Sequence, residues 1–332
     1  MSFDRLQEKI DKLKNPTVVG LDPALEHIPP RMLESHIAAN GETLEAAALA
    51  VCEWGAGLID SLCDIVPAVK PQSAFYEALG PYGALALKMT IDYAKSKGLY
   101  VILDGKRGDI GSTAQAYSAA YLGAVKVGGA ELLPYGADAL TINAYTGSDG
   151  IKPFIETAAK YDKAMFALVK TSNPSAGELQ DLFIGAQDDS QDDSQGVARE
   201  RPSCGASAAE SPPTRSVPAY VAVGDLIESI SIDTVGSYGY TRVGAVVGAT
   251  YPEEMEFLRK RLKNTFFLVP GYGAQGGAAS DAACAFDEKG RGAIVNSSRG
   301  IIAAWKKSGG DYAAAARAEA LRMRDELRAA VY

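Results

Sequence analysis

Residues 100–113 read YVILDGKRGDIGST, and the fold prediction rests on the pattern in this stretch. Four apolar residues are followed at once by the charged residues Asp104 and Lys106, and then by a helical pattern over 112–127. A short apolar run without strict alternation is typical of a strand buried on both faces, as the strands of parallel sheets are. The stretch therefore predicts a strand, a polar turn at its carboxyl end, and a helix.

Seven further runs of this kind occur along the chain. With the first, the predicted strands are 17–22, 66–71, 100–106, 139–144, 164–171, 243–249, 265–270 and 292–297. Helical patterns separate them, for example 77–97, 112–127 and 252–263. Strand and helix alternating in this way predict a parallel sheet. Polar residues at the carboxyl ends of both the first and the eighth strands favour an α/β (β/α)8 TIM barrel over a doubly wound open sheet.

Residues 184–217 depart from the pattern, with the stretch QDDSQDDSQ, several prolines and no hydrophobic periodicity. A segment with so little to bury predicts a disordered insertion. A helical pattern resumes at 217–232, so the insertion should fall between the fifth strand and its helix. We expect a single (β/α)8 domain over 1–332 that contains this insertion.

The bulk composition excludes several classes of protein. The chain is 47% hydrophobic and 22% charged, which suits a globular α/β protein, and its net charge of −8 gives no attraction for nucleic acid or anionic membranes. Four cysteines without a C-x-x-C pair predict free thiols in a reducing compartment. The absence of a signal-peptide core and of an apolar run of about 18 residues predicts a cytoplasmic protein.

The densest group of candidate catalytic residues is the D-x-K-x-x-D string formed by Asp104, Lys106 and Asp109. Asp104 and Lys106 are two apart at a strand end, so their side chains should leave the same face. Asp109 and Thr113 are four apart where a helix begins. Two acids thus flank one lysine, although the string alone also fits a solvated charged turn.

In its context, DGKRGDIGST resembles the signature of orotidine 5′-monophosphate decarboxylases, and further motifs follow in the order of that family. GLDP at 20–23 resembles its first-strand motif, and AVKPQSAFYEALGP at 68–81 resembles the second-strand lysine segment of the family's longer, monofunctional branch. VKTSNPSAGELQDL at 169–182 resembles its fifth-strand loop. VPGYGAQGG and VNSSRGI resemble its last two loops, and the likeness extends from about residue 17 to residue 305.

The resemblance implies a decarboxylase that makes uridine 5′-monophosphate and CO2 in pyrimidine biosynthesis, without a metal or an organic cofactor. Lys106 would donate the proton, Asp104 would lie against the substrate carboxylate, and Asp109 would complete the charged group. Lys70 would contact both the ribose and Asp104. The remaining substrate-binding residues that it implies are Asp22, Thr113, Thr171, Ser172, Pro270, Gln275 and Arg299.

The chemistry gives a reason for the lysine. Loss of CO2 from the pyrimidine leaves an electron pair in the plane of the ring, where no adjacent carbonyl delocalises it directly. A fixed ammonium group stabilises such a charge and can then deliver a proton to the same carbon. The phosphate would be held by Gln275 and Arg299, at the barrel loops that recurrently bind phosphate.

The resemblance also implies partners. Asp109 and Thr113 would reach the ribose of the neighbouring subunit's site, so we expect a homodimer with shared active sites. Nothing in the chain resembles orotate phosphoribosyltransferase, so we expect a monofunctional chain. An association with that enzyme as a separate protein stays open.

Two alternative functions stay open at this point. Related barrels use a D-x-K-x-x-D cluster with a magnesium-bound enediolate, but they need a further acid where this chain has Lys70, Pro71 and Gln72. A scaffold protein that has kept only the fold is the second alternative.

Overall fold

The computed structural model describes residues 1–185, 216–273 and 276–332. Its centre is a closed barrel of parallel strands, in which each strand pairs with the next along the chain and the last pairs with the first. The barrel strands are Thr17–Leu21, Ala68–Pro71, Tyr100–Arg107, Ala139–Ile142, Ala164–Lys170, Val243–Val247, Phe267–Val269 and Ala293–Ser297. The predicted TIM barrel is confirmed, and the ends of each of the eight predicted runs agree with those of a barrel strand to within two residues.

Helices surround the barrel, and Leu44–Leu62 and Tyr312–Val331 each begin at a side-chain cap. Thr43 accepts the N–H of Ala46 at 3.1 Å, and Asp311 accepts the N–H of Ala314 at 2.8 Å. In the described ranges, no helix is both long and apolar enough to cross a membrane. The α-helices are Ser2–Leu13, Pro30–Asn40, Leu44–Leu62, Ser73–Glu77, Gly80–Ser96, Gly111–Tyr121, Ser148–Tyr161, Gly177–Gln180, Ala219–Ser231, Pro252–Arg261, Ala279–Ala283, Arg299–Ile302, Trp305–Ser308 and Tyr312–Val331.

The predicted helix over 112–127 is wrong in its last third. The helix ends at Tyr121, and Val125–Val127 instead pairs antiparallel with Ala130–Leu132. Two glycines join these short strands, and the positive φ of Gly128, 59°, suits a two-residue hairpin loop. The β-branched residues before the loop therefore extend as a strand.

The predicted insertion does lie between the fifth barrel strand and its helix, Ala219–Ser231. Its outermost residues are ordered, because Phe183–Gly185 pairs antiparallel with Ser216–Pro218. Residues 184, 185, 216 and 217 of the predicted insertion therefore lie in short strands. Residues 186–215 lie outside the described residues, so their disorder stays a prediction.

Side chains alternate along each barrel strand between the interior and the surrounding helices. In the third strand, Tyr100 and Ile102 belong to the interior cluster, whereas Val101 and Leu103 belong to the cluster that packs against the helices. The same alternation turns Asp104, the next residue, into the barrel. Strand periodicity thus explains why the charged residue Asp104 is buried, with only 6% of its surface exposed.

Aromatic rings close the amino end of the barrel. Phe3, on the helix Ser2–Leu13, stacks on Phe266 with ring centroids 5.0 Å apart and lies 4.9 Å from the ring of Phe166. All three side chains are fully buried. Within the described residues, the open cavity of the barrel is therefore at the carboxyl end.

Replacing Phe3 with alanine should lower the free energy of unfolding by about 3–5 kcal/mol, because it leaves a cavity between two packed rings. Guanidinium unfolding followed by circular dichroism measures this loss. Phe257→Ala is the matched control, since Phe257 is 48% exposed. A loss from Phe3→Ala no larger than that of the control would contradict the assigned packing.

Candidate active site

Asp104 is the centre of a charged layer at the carboxyl end of the barrel. The Nζ atom of Lys70, on the second strand, lies 2.7 Å from Asp104 Oδ2. The Nζ atom of Lys106 lies 2.7 Å from Asp104 Oδ1. Lys70 and Asp104 are buried, whereas Lys106 is about half exposed toward the opening. The two ammonium groups therefore approach one carboxylate from two sides.

Two neutral side chains complete the contacts of Asp104. Gln72 donates from Nε2 to Oδ2 at 3.0 Å, and Thr141 donates from Oγ1 to Oδ1 at 2.8 Å. Each carboxylate oxygen thus accepts one charged and one neutral donor. An ionised carboxylate offers about four acceptor positions, so the donors fix its orientation completely.

The electrostatic balance favours the charged forms of Asp104 and Lys70. Burial alone would raise the pKa of Asp104, but the ammonium groups of Lys70 and Lys106 outweigh it and hold this pKa well below the usual range. Burial alone would lower the pKa of Lys70, but Asp104 and then Asp22 outweigh it and raise this pKa. Lys70 and Asp104 therefore stay ionised although both are buried.

The backbone of Lys106 adopts a left-handed conformation, with φ of 46°. Residues other than glycine rarely adopt it, because Cβ approaches the neighbouring carbonyl oxygen. The N–H of Lys106 donates to Thr141 Oγ1 at 2.9 Å. This conformation coincides with a register shift between the third and fourth strands, after Leu103.

The charged layer lines a cavity of about 490 Å³. Two buried acceptors in its wall, Asp22 Oδ1 and Asn296 Oδ1, have no hydrogen-bond partner among the described residues. Such atoms suit the hydroxyl or N–H donors of a bound molecule. The lining residues are Asp22, Lys70, Gln72, Asp104, Lys106, Thr141, Leu168, Thr171, Ser172, Asn173, Gln180, Val246, Leu268, Pro270, Asn296 and Ser298.

The loop after the fifth strand is held tightly against this cavity. Gln180 accepts the N–H of Thr171 at 2.9 Å and donates to its hydroxyl at 2.7 Å. Fully buried Lys170 forms an ion pair with Asp181 and lies 4.5 Å from the ring centroid of Tyr251. These contacts fix both ends of the loop that contains Ser172.

The structure brings most of the candidate residues together but leaves some apart. Asp22, Lys70, Asp104, Lys106, Thr171, Ser172 and Pro270 all line the cavity. Asp109, Thr113 and Arg299 do not. Asp109 accepts the N–H of the adjacent Ile110 at 2.7 Å, and both Thr113 and Arg299 are exposed. Gln275 lies outside the described residues.

Sequence reasoning missed several polar residues of the cavity. They are Gln72, Thr141, Asn173, Gln180, Asn296 and Ser298. Gln72 could have been found, because it is two residues after Lys70 and therefore shares its face. Thr141 could have been found in the same way, because it is two residues after the interior residue Ala139 and therefore shares its face.

The sequence model of the orotidine 5′-phosphate decarboxylase / HUMPS family matches residues 55–310. The chain belongs to this family. The match includes Lys70, Asp104 and Lys106, which meet in the charged layer. It also spans the loops that follow the last two barrel strands.

Individual relatives match over nearly the whole chain. A protein of Rhodopirellula baltica named orotidine 5′-phosphate decarboxylase is 39% identical over 319 residues, which cover 94% of each chain. A solved structure of Leishmania donovani OMP decarboxylase is 28% identical, with a TM-score of 0.66 and 98% of each chain covered. The structure of Leishmania donovani UMP synthase is 30% identical, with a TM-score of 0.69, over 99% of this chain and 56% of that one. By this membership the chain is a carboxy-lyase.

Asp104→Asn should lower the free energy of unfolding by about 3–5 kcal/mol at neutral pH, because it leaves the buried ammonium of Lys70 without its closest carboxylate. Lys70→Met should lower the free energy of unfolding by less, since Asp104 keeps Lys106 as a partner. Urea unfolding of the two variants and the wild type measures the difference. Equal losses would contradict the assigned pairing.

The loss from Asp104→Asn should also depend on pH. The folded pKa of Asp104 is lowered, so its contribution is fully present above the ordinary carboxyl pKa of about 4 and declines as pH falls toward the folded value. The gap in stability between wild type and variant should therefore narrow below about pH 4.

Proposed function

We propose that the chain converts orotidine 5′-monophosphate into uridine 5′-monophosphate and CO2 in pyrimidine biosynthesis. The observation that carries the proposal is the half-exposed Lys106 ammonium, 2.7 Å from the buried carboxylate of Asp104 at the opening of the cavity. Membership of the decarboxylase family supports the same substrate. The chain would act as a single (β/α)8 domain.

In the proposed mechanism, the bond between the ring carbon and the substrate carboxylate breaks, and its electron pair remains on the ring carbon. CO2 leaves as a neutral molecule. The ammonium of Lys106 stabilises the new charge and transfers one proton to this carbon, so that neutral Lys106 must regain a proton from solvent. No metal and no organic cofactor takes part in this sequence.

Asp104 would have two effects on this reaction. It anchors the Lys106 ammonium, which fixes the positive charge before the substrate is bound. It would also lie beside the substrate carboxylate, where like charges repel until that carboxylate departs as neutral CO2. The first effect is the larger in our proposal, because a preorganised charge needs no rearrangement during the reaction.

The remaining groups would bind the ends of the substrate. Asp22, with its buried partnerless oxygen, and Lys70 suit the ribose hydroxyls. Thr171 and Ser172 would contact the pyrimidine, and Pro270 would line the same space. Gln275 and Arg299 would hold the phosphate, for which a guanidinium group offers two parallel N–H donors.

We further propose a homodimer in which each site borrows residues from the other chain. Asp109 and Thr113 lie outside the cavity of their own chain, and Ile110 between them is 57% exposed. A partner surface would bury this apolar side chain and bring Asp109 to the neighbouring Lys106. The free thiols of Cys52, Cys63 and Cys284 suit a cytoplasmic setting. Binding of orotate phosphoribosyltransferase would be a further association.

Lys106→Ala should lower kcat/KM for orotidine 5′-monophosphate by at least about 10³-fold, because it removes both the stabilising charge and the proton donor. The loss of absorbance on conversion to uridine 5′-monophosphate follows the reaction. Lys152→Ala, at an exposed lysine, is the control and should match the wild type. A fully active Lys106→Ala variant would refute the mechanism, and an inactive wild type would favour a scaffold protein.

Magnesium-dependent chemistry on an open-chain sugar phosphate is the rival enzymatic function. Within the described residues, no group of three or more His, Cys, Asp or Glu side chains is arranged to hold a metal ion. Decarboxylation by wild-type protein after exhaustive chelation would reject the rival. Activity that disappears on chelation and returns with Mg²⁺ would support it.

Shared sites predict complementation between two inactive variants. When Lys106→Ala and Asp109→Ala chains are mixed and allowed to exchange, half of the dimers should be mixed, and each should contain one site with both residues intact. Activity should then recover to about a quarter of the wild-type value, as expected for a two-fold assembly.

The control for complementation is a mixture of Lys106→Ala with Asp104→Ala, because both residues belong to the same chain's cavity. This mixture should recover no activity. Chains carrying different tags can be co-purified to verify exchange. Verified exchange without recovery in the first mixture would argue against shared sites.

A further inference from the structure

Thr141 joins the two residues on which the proposed chemistry depends. Its side chain is 1% exposed and points into the barrel from the fourth strand. Its hydroxyl donates to Asp104 Oδ1 at 2.8 Å and accepts the backbone N–H of Lys106 at 2.9 Å. One buried side chain thus contacts both the carboxylate and the backbone of the lysine.

The backbone of Lys106 needs such a partner. The register between the third and fourth strands shifts between Leu103 and Arg107, so regular pairing is interrupted where Lys106 lies. A backbone N–H without a partner is unfavourable at this partly buried position, and the left-handed φ of 46° adds a further cost. The Thr141 hydroxyl supplies the missing acceptor and stabilises this conformation.

The protons on Thr141 and Lys106 indicate which of the two side chains can still donate to a substrate. A threonine hydroxyl has one proton, and Thr141 gives it to Asp104, so no donor remains for a substrate. The Lys106 ammonium has three protons and gives one to Asp104, so two remain for the reacting groups. Loss of the Thr141 hydroxyl should therefore disturb the direction of the ammonium rather than remove a substrate contact.

We propose that Thr141 is a positioning residue, which fixes the Lys106 ammonium in the direction that the reaction needs. The inference rests on the proposed decarboxylation. Because Thr141 acts through Lys106 and Asp104, its loss should lower kcat and leave substrate affinity nearly unchanged.

Thr141→Val removes the hydroxyl but keeps the shape of the side chain. We expect kcat to fall about 10- to 100-fold, the range for loss of a hydrogen bond to a charged group. KM and the Kd for uridine 5′-monophosphate should stay within about threefold of wild type, since phosphate and ribose contacts are unchanged. Thr141→Ser, which restores the hydroxyl, should recover most of kcat.

Thr90→Val is the matched control, because Thr90 is also buried and hydrogen-bonded, to Ala86, but lies outside the cavity. It should retain wild-type kcat. Thermal unfolding midpoints measured for each variant separate loss of fold from loss of positioning. If Thr141→Val does not fold, Thr141→Cys replaces it in the test. Its thiol is only a weak donor, so kcat should again fall while KM and Kd stay near the wild-type values.

Each outcome has a distinct meaning. A wild type without decarboxylase activity removes the proposed function and this inference with it. An active wild type whose kcat is matched by Thr141→Val overturns the positioning role alone. A loss confined to KM and Kd assigns Thr141 to substrate binding instead, and a Thr141→Ser variant as slow as Thr141→Val shows that the hydroxyl is not responsible.

Discussion

The organisation of the site depends on one buried carboxylate that holds two ammonium groups. Asp104 on the third strand pairs with Lys70 on the second, so the interaction also joins neighbouring strands at the carboxyl end of the barrel. Burying one of these charges alone would be costly, whereas the pair with its additional donors is balanced. A pair of well-packed apolar side chains could fill the same space. The charged pair therefore points to a chemical role rather than to a need for stability alone.

Strand periodicity allowed much of this arrangement to be predicted from sequence. The eight apolar runs indicated the barrel, and the polar residues that follow them indicated which end is functional. Asp104 could be assigned to the interior because Tyr100 and Ile102 precede it at intervals of two. Family motifs then added Lys70, although only the register of the second and third strands brings its Nζ atom to Asp104.

Other features could not be predicted, for physical reasons. Thr141 is compatible with an ordinary strand interior, and its importance appears only when the distances across two strands are known. The proposed contact of Lys106 with Asp109 would require a second chain, so neither the sequence nor the structure of one chain tests it. The helix prediction over 112–127 failed because local patterns did not show that a two-glycine loop would pair the strands around it.

The packing of the Phe3 ring closes the amino end of the barrel, and this closure limits how a ligand reaches the charged layer. Within the described residues, the charged layer opens only toward the carboxyl end of the barrel, so a ligand enters and leaves through the same opening. In the proposed decarboxylation, CO2 and the nucleotide would therefore leave by the same route.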